Sequence, residues 1–114
     1  MDNNQTRLDT LFQALADPTR RAVISRLGTG PASVSELATP FDMALPSFMK
    51  HIRYLEESGW ITSRKQGRVR ICNIVHPQMQ FAIGWLDRQR VLWEQQSDRL
   101  EDFVTRSDQK DQTE

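Results

Sequence analysis

Apolar side chains recur every three or four positions along most of this chain, which is the spacing of an amphipathic helix. Asp17 and Ser33 are favoured N-cap residues, and Gly59 suits the end of a helix. The spacing and the turn residues between the apolar stretches predict helices over residues 7–16, 18–27, 34–39 and 44–58.

The apolar period changes from 3.6 to 2 after Trp60 and Ile61. Gly67 lies near the centre of the stretch 64–71 and predicts a tight turn between two short strands. The sequence therefore predicts a small β-hairpin after the fourth helix.

A last, long helix is predicted over residues 77–104, with apolar residues at every seventh position. The members of this stripe are Met79, Leu86, Trp93 and Leu100. The stripe is longer than one small helical core can cover, and the first helix offers a matching surface formed by Leu8, Leu11 and Phe12. Because pairing about a two-fold axis buries both surfaces, the sequence predicts a homodimer.

The predicted order α-α-α-α-β-β-α is mainly helical with a small β-hairpin, and it is the order of a winged helix-turn-helix domain. A length of 114 residues fits a single domain. We predict that domain over residues 7–104, between a flexible N-terminus at 1–6 and a flexible tail at 105–114.

The net charge of zero conceals an uneven distribution of charge. Residues 18–70 contain nine Lys or Arg and four acids, whereas the two ends together contain six basic and eleven acidic residues. A basic middle between acidic ends is typical of a nucleic-acid-binding surface.

Two predicted elements carry this basic charge in a form that fits duplex DNA. The polar face of the fourth helix contains Ser47, Lys50, His51 and Arg53. A helix fits the major groove, where such side chains reach base edges and phosphates. The hairpin contains Arg64, Lys65, Arg68 and Arg70, with no acid among residues 58–72, and a basic two-stranded ribbon fits a phosphate backbone or a minor groove.

Composition excludes several other classes of protein. No apolar run approaches the ~20 residues of a membrane span, and the polar N-terminus argues against secretion. The single cysteine, Cys72, excludes an internal disulfide and fits a reducing cytoplasm. The chain has no glycine-rich phosphate loop and no nucleophile–base set, so we expect no enzymatic activity and no cofactor.

Three stretches make the chain resemble the arsenic-repressor (ArsR) family of bacterial winged-helix regulators. They are LFQALADPTRRAVISRL (11–27), PSFMKHIRYLEESGWI (46–61) and GRVRICNI (67–74), and the resemblance covers roughly residues 8–104. It implies a transcriptional regulator of duplex DNA, and we expect a repressor that acts as a homodimer on a palindromic operator.

The resemblance also implies roles for individual residues. Ser47, Lys50, His51 and Arg53 would contact DNA from the recognition helix, and Arg20 would reach a phosphate. Arg64, Lys65, Gln66, Arg68 and Arg70 would contact DNA from the hairpin, which is called the wing in this family. The first and last helices would form the dimer interface.

The chain departs from the family pattern at three places. Ala44 stands where Ser often begins the recognition helix, and Met49 stands where Ser is common. Residues 36–40 lack the Cys-x-Cys of the metal-sensing members, and no His follows His76. Zinc-type sites need about four ligands, so we predict no metal site and place the chain in the metal-free branch.

Several alternatives stay open from the sequence alone. His51 is compatible with a pH switch, His76 with a ligand, and Cys72 with redox sensing, although each fits an ordinary structural role better. The tryptophans and Met79 of the last helix fit an interface core better than an effector cavity, which stays open as the alternative. A winged-helix module that dimerises and docks a protein without binding DNA is the alternative function, but it has no need for four cations on one hairpin.

Overall fold

The computed structural model describes residues 3–112, with side chains described as far as residue 105. The elements are α1 (Asn3–Ala14), α2 (Pro18–Leu27), β1 (Ala32–Ser33), α3 (Val34–Ala38), α4 (Leu45–Glu57), β2 (Ile61–Gln66), β3 (Val69–Ile74) and α5 (His76–Gln112). The chain divides between Ala82 and Ile83 into two compact units, called here the N-terminal unit and the C-terminal unit.

The predicted order of helices, hairpin and final helix is confirmed, with one added strand. Strand β1 pairs antiparallel with β3, which also pairs with β2, so the sheet has the order β1-β3-β2. Ser33 lies in β1 and its side chain also accepts a hydrogen bond from the Glu36 amide at 3.1 Å, as an N-cap of α3. Two residues are too short a strand to show an alternating pattern in the sequence.

Two helix boundaries differ by several residues from those predicted, and the others agree to within two residues. Helix α1 begins at Asn3 rather than at residue 7, and α5 continues to Gln112 rather than ending at 104. Both extensions run through the segments for which flexible ends are predicted. Their residues are polar and therefore show no apolar period, although polar side chains are compatible with a solvated helix.

The core of the N-terminal unit gathers side chains from every element of that unit. Phe48, Ile52 and Leu55 of α4 are fully buried and form one face of this helix. The Trp60 indole Nε1 donates a hydrogen bond of 2.7 Å to the Leu11 carbonyl oxygen and joins the start of the hairpin to α1. The core therefore fixes which face of α4 points outward.

The C-terminal unit is the long part of α5 and has a different character. None of the residues 83–105 is buried. Its exposed large apolar side chains are Ile83, Leu86, Val91, Leu92, Trp93, Leu100, Phe103 and Val104. Among the described residues, no helix combines the length and the apolarity that a membrane crossing requires.

Candidate nucleic-acid interface

Helix α4 presents a polar face opposite the side that packs into the core. Ser47, Lys50 and Arg53 are exposed and lie three residues apart, which places them on one side of the helix. The Arg53 Nε group donates to the Met49 carbonyl oxygen of its own helix at 3.4 Å. These three predicted residues are therefore together on a surface that a duplex can approach.

The first turn of α4 has a weak cap, as the sequence predicts. Ala44 is the N-cap residue and its side chain has no oxygen to accept a backbone hydrogen bond. Pro46 lies in the first turn, where its fixed φ suits a helix and its missing N–H is no loss.

His51 lies at the flank of α4 beside the start of α2. Its Nδ1 atom is 3.6 Å from Oδ2 of Asp17, and its side chain is only 24% exposed. It therefore faces α2 more than solvent, unlike Ser47, Lys50 and Arg53 of the same predicted set.

Asp17 is held as an anion by its surroundings. Burial acts to raise the pKa of this carboxyl, but the Arg20 amide and the charges of His51 and Arg20 outweigh it, so the pKa lies below its ordinary value of 3.8. The carboxylate accepts a hydrogen bond of 3.0 Å from the Arg20 amide and caps α2.

Arg20 and Arg21 turn back toward the end of α1. The Nε group of Arg20 donates to the Ala14 carbonyl oxygen at 2.7 Å, and its Nη2 group donates to that of Gln13 at 3.3 Å. The Arg20 guanidinium carbon also lies 4.1 Å from the ring centroid of Tyr54. Arg20 is the residue expected to reach a phosphate, but two of its N–H groups and one face of its guanidinium contact the protein itself.

The wing is a hairpin with a two-residue loop. Gly67 has φ +67°, which suits the first central position of a type II′ turn and is rarely adopted by other residues. All five predicted wing residues are exposed: Arg64, Lys65, Gln66, Arg68 and Arg70.

Two cations of the wing lie directly opposite one another. Lys65 pairs with Arg70 across the strands, so both side chains leave the same face of the hairpin. Like charges at directly opposed positions destabilise a hairpin. The positive charges of Lys65 and Arg70 therefore repel each other, and an anion placed against this face of the hairpin would reduce the repulsion.

The base of the wing is joined to the last turn of α4. The Ser63 hydroxyl donates a hydrogen bond to the Glu56 carboxylate, and the Arg70 Nη1 group donates to the Ser63 hydroxyl at 2.8 Å. This relay connects the recognition helix to β3, and it leaves other N–H groups of Arg70 for an external anion.

Cys72 faces the core rather than the wing surface. It is fully buried, and burial together with the nearby Glu56 charge raises the pKa of its thiol to about 11, although Arg70 opposes the shift. The side chain is therefore a protonated thiol at neutral pH, which does not favour the redox alternative. Among the described residues, no three His, Cys, Asp or Glu side chains gather as metal ligands would.

The predicted interface residues divide into two groups. Leu11 is fully buried in the core of the N-terminal unit, so its assignment to a free surface is wrong, because the helix packs this position against its own chain. Phe12 and Met79 are half-buried against that core, and Leu8 is half-buried.

The other three predicted interface residues lie in the C-terminal unit and are exposed. Leu86, Trp93 and Leu100 are 51%, 74% and 64% exposed. An open groove on the same helix is lined by Gln89, Leu92, Trp93, Gln96, Ser97 and Leu100. A groove formed by one helix is open to solvent along its length, so it does not have the walls of an effector cavity.

Sequence reasoning missed the residues that connect α4 to its neighbours. Tyr54, Glu56 and Ser63 carry no motif. The partner of Tyr54 is Arg20, in another helix, and the Glu56–Ser63 contact joins α4 to β2. The N-cap role of Asp17 was predictable from its position before Pro18, but its contact with His51 was not.

Comparisons with known proteins agree with this arrangement. A family described as a helix-turn-helix domain matches residues 15–64, a segment that extends from the end of α1 to the first half of the wing. The chain is also similar to a crystal structure of an ArsR family transcriptional regulator, with 61% identity and a TM-score of 0.74. That similarity covers 82% of this chain and 97% of the other.

Two characterised relatives are similar over shorter stretches. The HTH-type transcriptional regulator Rv2034 of Mycobacterium tuberculosis is 38% identical over 63 residues, which are 55% of this chain and 59% of that protein. The match thus spans less than two thirds of that regulator's length. The transcriptional repressor SdpR of Bacillus subtilis is 25% identical over 79 residues, which are 69% of this chain and 88% of that protein.

Proposed function

This chain belongs to the ArsR family of transcriptional regulators, and we propose that it is a repressor that binds a palindromic DNA operator as a homodimer. The family and its helix-turn-helix domain define a transcriptional regulator that binds DNA. The homodimer, the form of the operator and the independence from a metal effector are the parts that we add.

The observation that carries the proposal is the opposition of Lys65 and Arg70 on one face of the wing. The exposed Arg64 and Arg68 lie in the same hairpin, and the sequence from 58 to 72 contains no acid, although Glu56 of α4 is joined to Arg70 through the Ser63 hydroxyl. A surface with this much unbalanced positive charge favours a polyanion, and the regular phosphates of duplex DNA supply one.

The polar face of α4 supplies the part of the interface that distinguishes sequences. Lys50 projects opposite the buried face of the helix, with Ser47 and Arg53 beside it. Lys and Arg side chains in a major groove donate to the O6 and N7 acceptors of guanine. We therefore propose that Ser47, Lys50 and Arg53 contact bases or adjacent phosphates, and that the wing holds the backbone.

The exposed stripe of the C-terminal unit supports the homodimer. Leu86, Trp93 and Leu100 lie at seven-residue intervals, and Phe103 continues the adjoining row. A single helix cannot bury such a stripe by itself, whereas the same stripe of a second copy can cover it. A two-fold pair also places two recognition helices on one duplex, as a palindromic operator requires.

We propose that regulation does not use a metal ion and that the chain catalyses no reaction. The Cys-x-Cys of the metal-sensing members is absent from residues 36–40, and Cys72 is buried away from any cluster of ligands among the described residues. A regulator of this kind acts where the DNA is, so we place it in the cytoplasm of a bacterium.

The decisive experiment selects duplexes from a random pool with the full-length protein and then titrates the selected duplex and a random duplex of equal length. We expect tighter binding to a palindromic selected duplex, and a loss of about 10³–10⁵-fold between 50 and 200 mM salt if a dimer contacts 6–10 phosphates. Lys65→Gln should weaken binding to both duplexes, whereas removal of an exposed cation of the C-terminal unit by Arg88→Gln should not.

Two results would contradict the proposal. Selection that enriches no sequence, together with binding that does not depend on salt, would exclude a DNA-binding function and favour the protein-docking module. Equal effects of Lys65→Gln and Arg88→Gln would show that the wing has no particular part in holding DNA.

A further inference from the structure

We propose that Arg20 is a positioning residue, which fixes the recognition helix α4 against the end of α1, and that it is not a direct ligand of DNA. The inference rests on the proposed DNA-binding function. It reassigns a residue for which the sequence suggests a phosphate contact.

The contacts of Arg20 join three helices at one point. Its backbone amide is capped by Asp17 at the start of α2, and its Nε and Nη2 groups reach the carbonyl oxygens of Ala14 and Gln13 in the last turn of α1. The flat face of the guanidinium lies over the Tyr54 ring of α4 at 4.1 Å. From its place in the first turn of α2, the Arg20 side chain thus touches both the end of α1 and the side of α4.

Each of these contacts uses a property that is specific to arginine. The last carbonyl oxygens of a helix lack partners inside the helix and carry partial negative charge, so a cation with several N–H donors satisfies them. The guanidinium is planar and weakly hydrated, so its face stacks on an aromatic ring while its edge donates hydrogen bonds. Lysine keeps the charge but has neither the planar face nor the fork of donors.

A second contact between the same two helices strengthens the inference. Asp17, which caps α2 next to Arg20, lies 3.6 Å from His51 of α4. His51 and Tyr54 are three residues apart, so they are neighbours on the surface of α4. The first turn of α2 therefore holds α4 at two adjacent points, which fixes the rotation of α4 about its own axis.

That rotation decides where the DNA-facing side chains point. Lys50 lies four residues before Tyr54, and Arg53 is adjacent to it in the sequence. A groove contact depends on the direction of these side chains, because hydrogen bonds to base edges weaken steeply when they are badly misaligned. A variant without the bonds of Arg20 to α1 and Tyr54 should therefore bind DNA more weakly, although every group that touches DNA is still present.

The test compares substitutions that separate charge from shape. Arg20→Lys keeps the positive charge, and lysine also binds phosphate, as a point charge. If Arg20 binds phosphate, this substitution should therefore leave the affinity for the operator nearly unchanged. If Arg20 positions α4, Arg20→Lys should weaken operator binding about tenfold. Arg21→Lys is the matched control, since Arg21 is exposed and also donates to a backbone carbonyl oxygen, that of Leu15 just after the end of α1.

The partner ring supplies an independent arm of the same test. Tyr54→Phe keeps the ring and should bind like the wild type, whereas Tyr54→Ala should lose as much affinity as Arg20→Lys. Because both changes remove the same interaction, the double variant should lose little more than either single variant. Tyr54 is 39% exposed, so its replacement by alanine leaves the core intact.

Tyrosine resonances report on the contact itself in the absence of DNA. Tyr54 is the single tyrosine of the chain, so protein with labelled tyrosine gives one set of ring signals in NMR spectra. We expect these signals to shift in Arg20→Lys and to stay in place in Arg21→Lys. This measurement tests the contact even if the wild-type protein fails to bind DNA, so failure of the proposed function and failure of this inference are distinguishable.

The dependence of binding on salt identifies the opposite outcome. If Arg20 binds phosphate, Arg20→Gln should lower the slope of log affinity against log salt by about 0.9 for each phosphate that Arg20 neutralises, and Arg20→Lys should restore it. That pattern would overturn the inference, as would additive losses of affinity in the Arg20 and Tyr54 variants. An unchanged slope with a reduced affinity is the result that we expect.

Discussion

Replacing Trp93 by alanine should convert the protein to a monomer and thereby weaken its hold on the operator. Trp93 is 74% exposed in the single chain, so its removal costs the folded N-terminal unit nothing that the structure shows. The side chain lies in the middle of the stripe of Leu86, Trp93 and Leu100, where a second copy would cover it most completely.

The size of the effect follows from the area that a partner can cover. A fully buried tryptophan takes up to about 250 Å² of its surface out of water. Trp93 is 74% exposed, so about 185 Å² of that surface remains for a partner to cover. At about 25 cal/mol per Å² that area contributes about 4–5 kcal/mol for each protomer. An alanine at position 93 keeps part of this contact area. The expected loss of dimerisation free energy is therefore about 3 kcal/mol for each protomer, at the lower end of values for truncation of a buried tryptophan.

A symmetric dimer contains the substitution twice, so its dissociation constant should rise by about four orders of magnitude. Sedimentation velocity and a DNA titration on one preparation measure both consequences. Val91→Ala is the matched control, because Val91 is also exposed on α5 and lies outside the stripe. A folded, monomeric Trp93→Ala protein that binds the operator as tightly as the wild type would refute the reasoning.

Four further predictions concern the interface and its surroundings. Lys50→Ala should cost about 1–3 kcal/mol on the selected duplex and less on a random one, and equal losses in the two titrations would assign Lys50 to phosphate. Removal of Arg68 and Arg70 should flatten the salt dependence by about 0.9 for each phosphate that these side chains neutralise, and an unchanged slope would move the wing off the DNA. Zinc, cadmium, copper or arsenite in modest excess should not release the DNA, and stoichiometric metal binding that weakens the complex would overturn the metal-free assignment. Because the pKa of Asp17 lies below 3.8, its ionised form stabilises the folded chain at neutral pH, and this contribution is lost as the pH falls through the lowered pKa. Asp17→Asn should therefore lower the melting temperature at pH 7, and this difference between variant and wild type should shrink as the pH falls through the lowered pKa. A difference that does not change with pH would show that the charge of Asp17 does not contribute to stability.

The sequence predicts α4 and the wing well because both depend on local patterns. Phe48, Ile52 and Leu55 recur at helical spacing and are all buried, and Gly67 stands where a two-residue hairpin loop needs a positive φ. The spacing of apolar residues predicts the helix and the turn residue predicts the hairpin, and neither prediction needs the rest of the chain.

The features that the sequence did not reveal depend on contacts between distant residues. The apolar spacing of α1 shows that Leu11 is on an apolar face, but it does not show whether the same chain or a second copy covers that face. Arg20 belongs to a basic segment, and charge counting cannot distinguish a cation that faces DNA from one that binds the carbonyl oxygens of a preceding helix. Only the packing of α1 against α2 and α4 makes that distinction.

The opposition of Lys65 and Arg70 has a consequence for how the protein would find its operator in a genome. Any stretch of duplex relieves the repulsion between these two side chains, because phosphates have the same charge and spacing whatever the bases are. If the wing holds the DNA backbone as proposed, it would favour residence on all DNA alike and would let the protein slide from site to site. Under the proposed function, recognition during that search would fall to α4, whose side chains would change partners at each new base pair while the wing stays bound to the backbone.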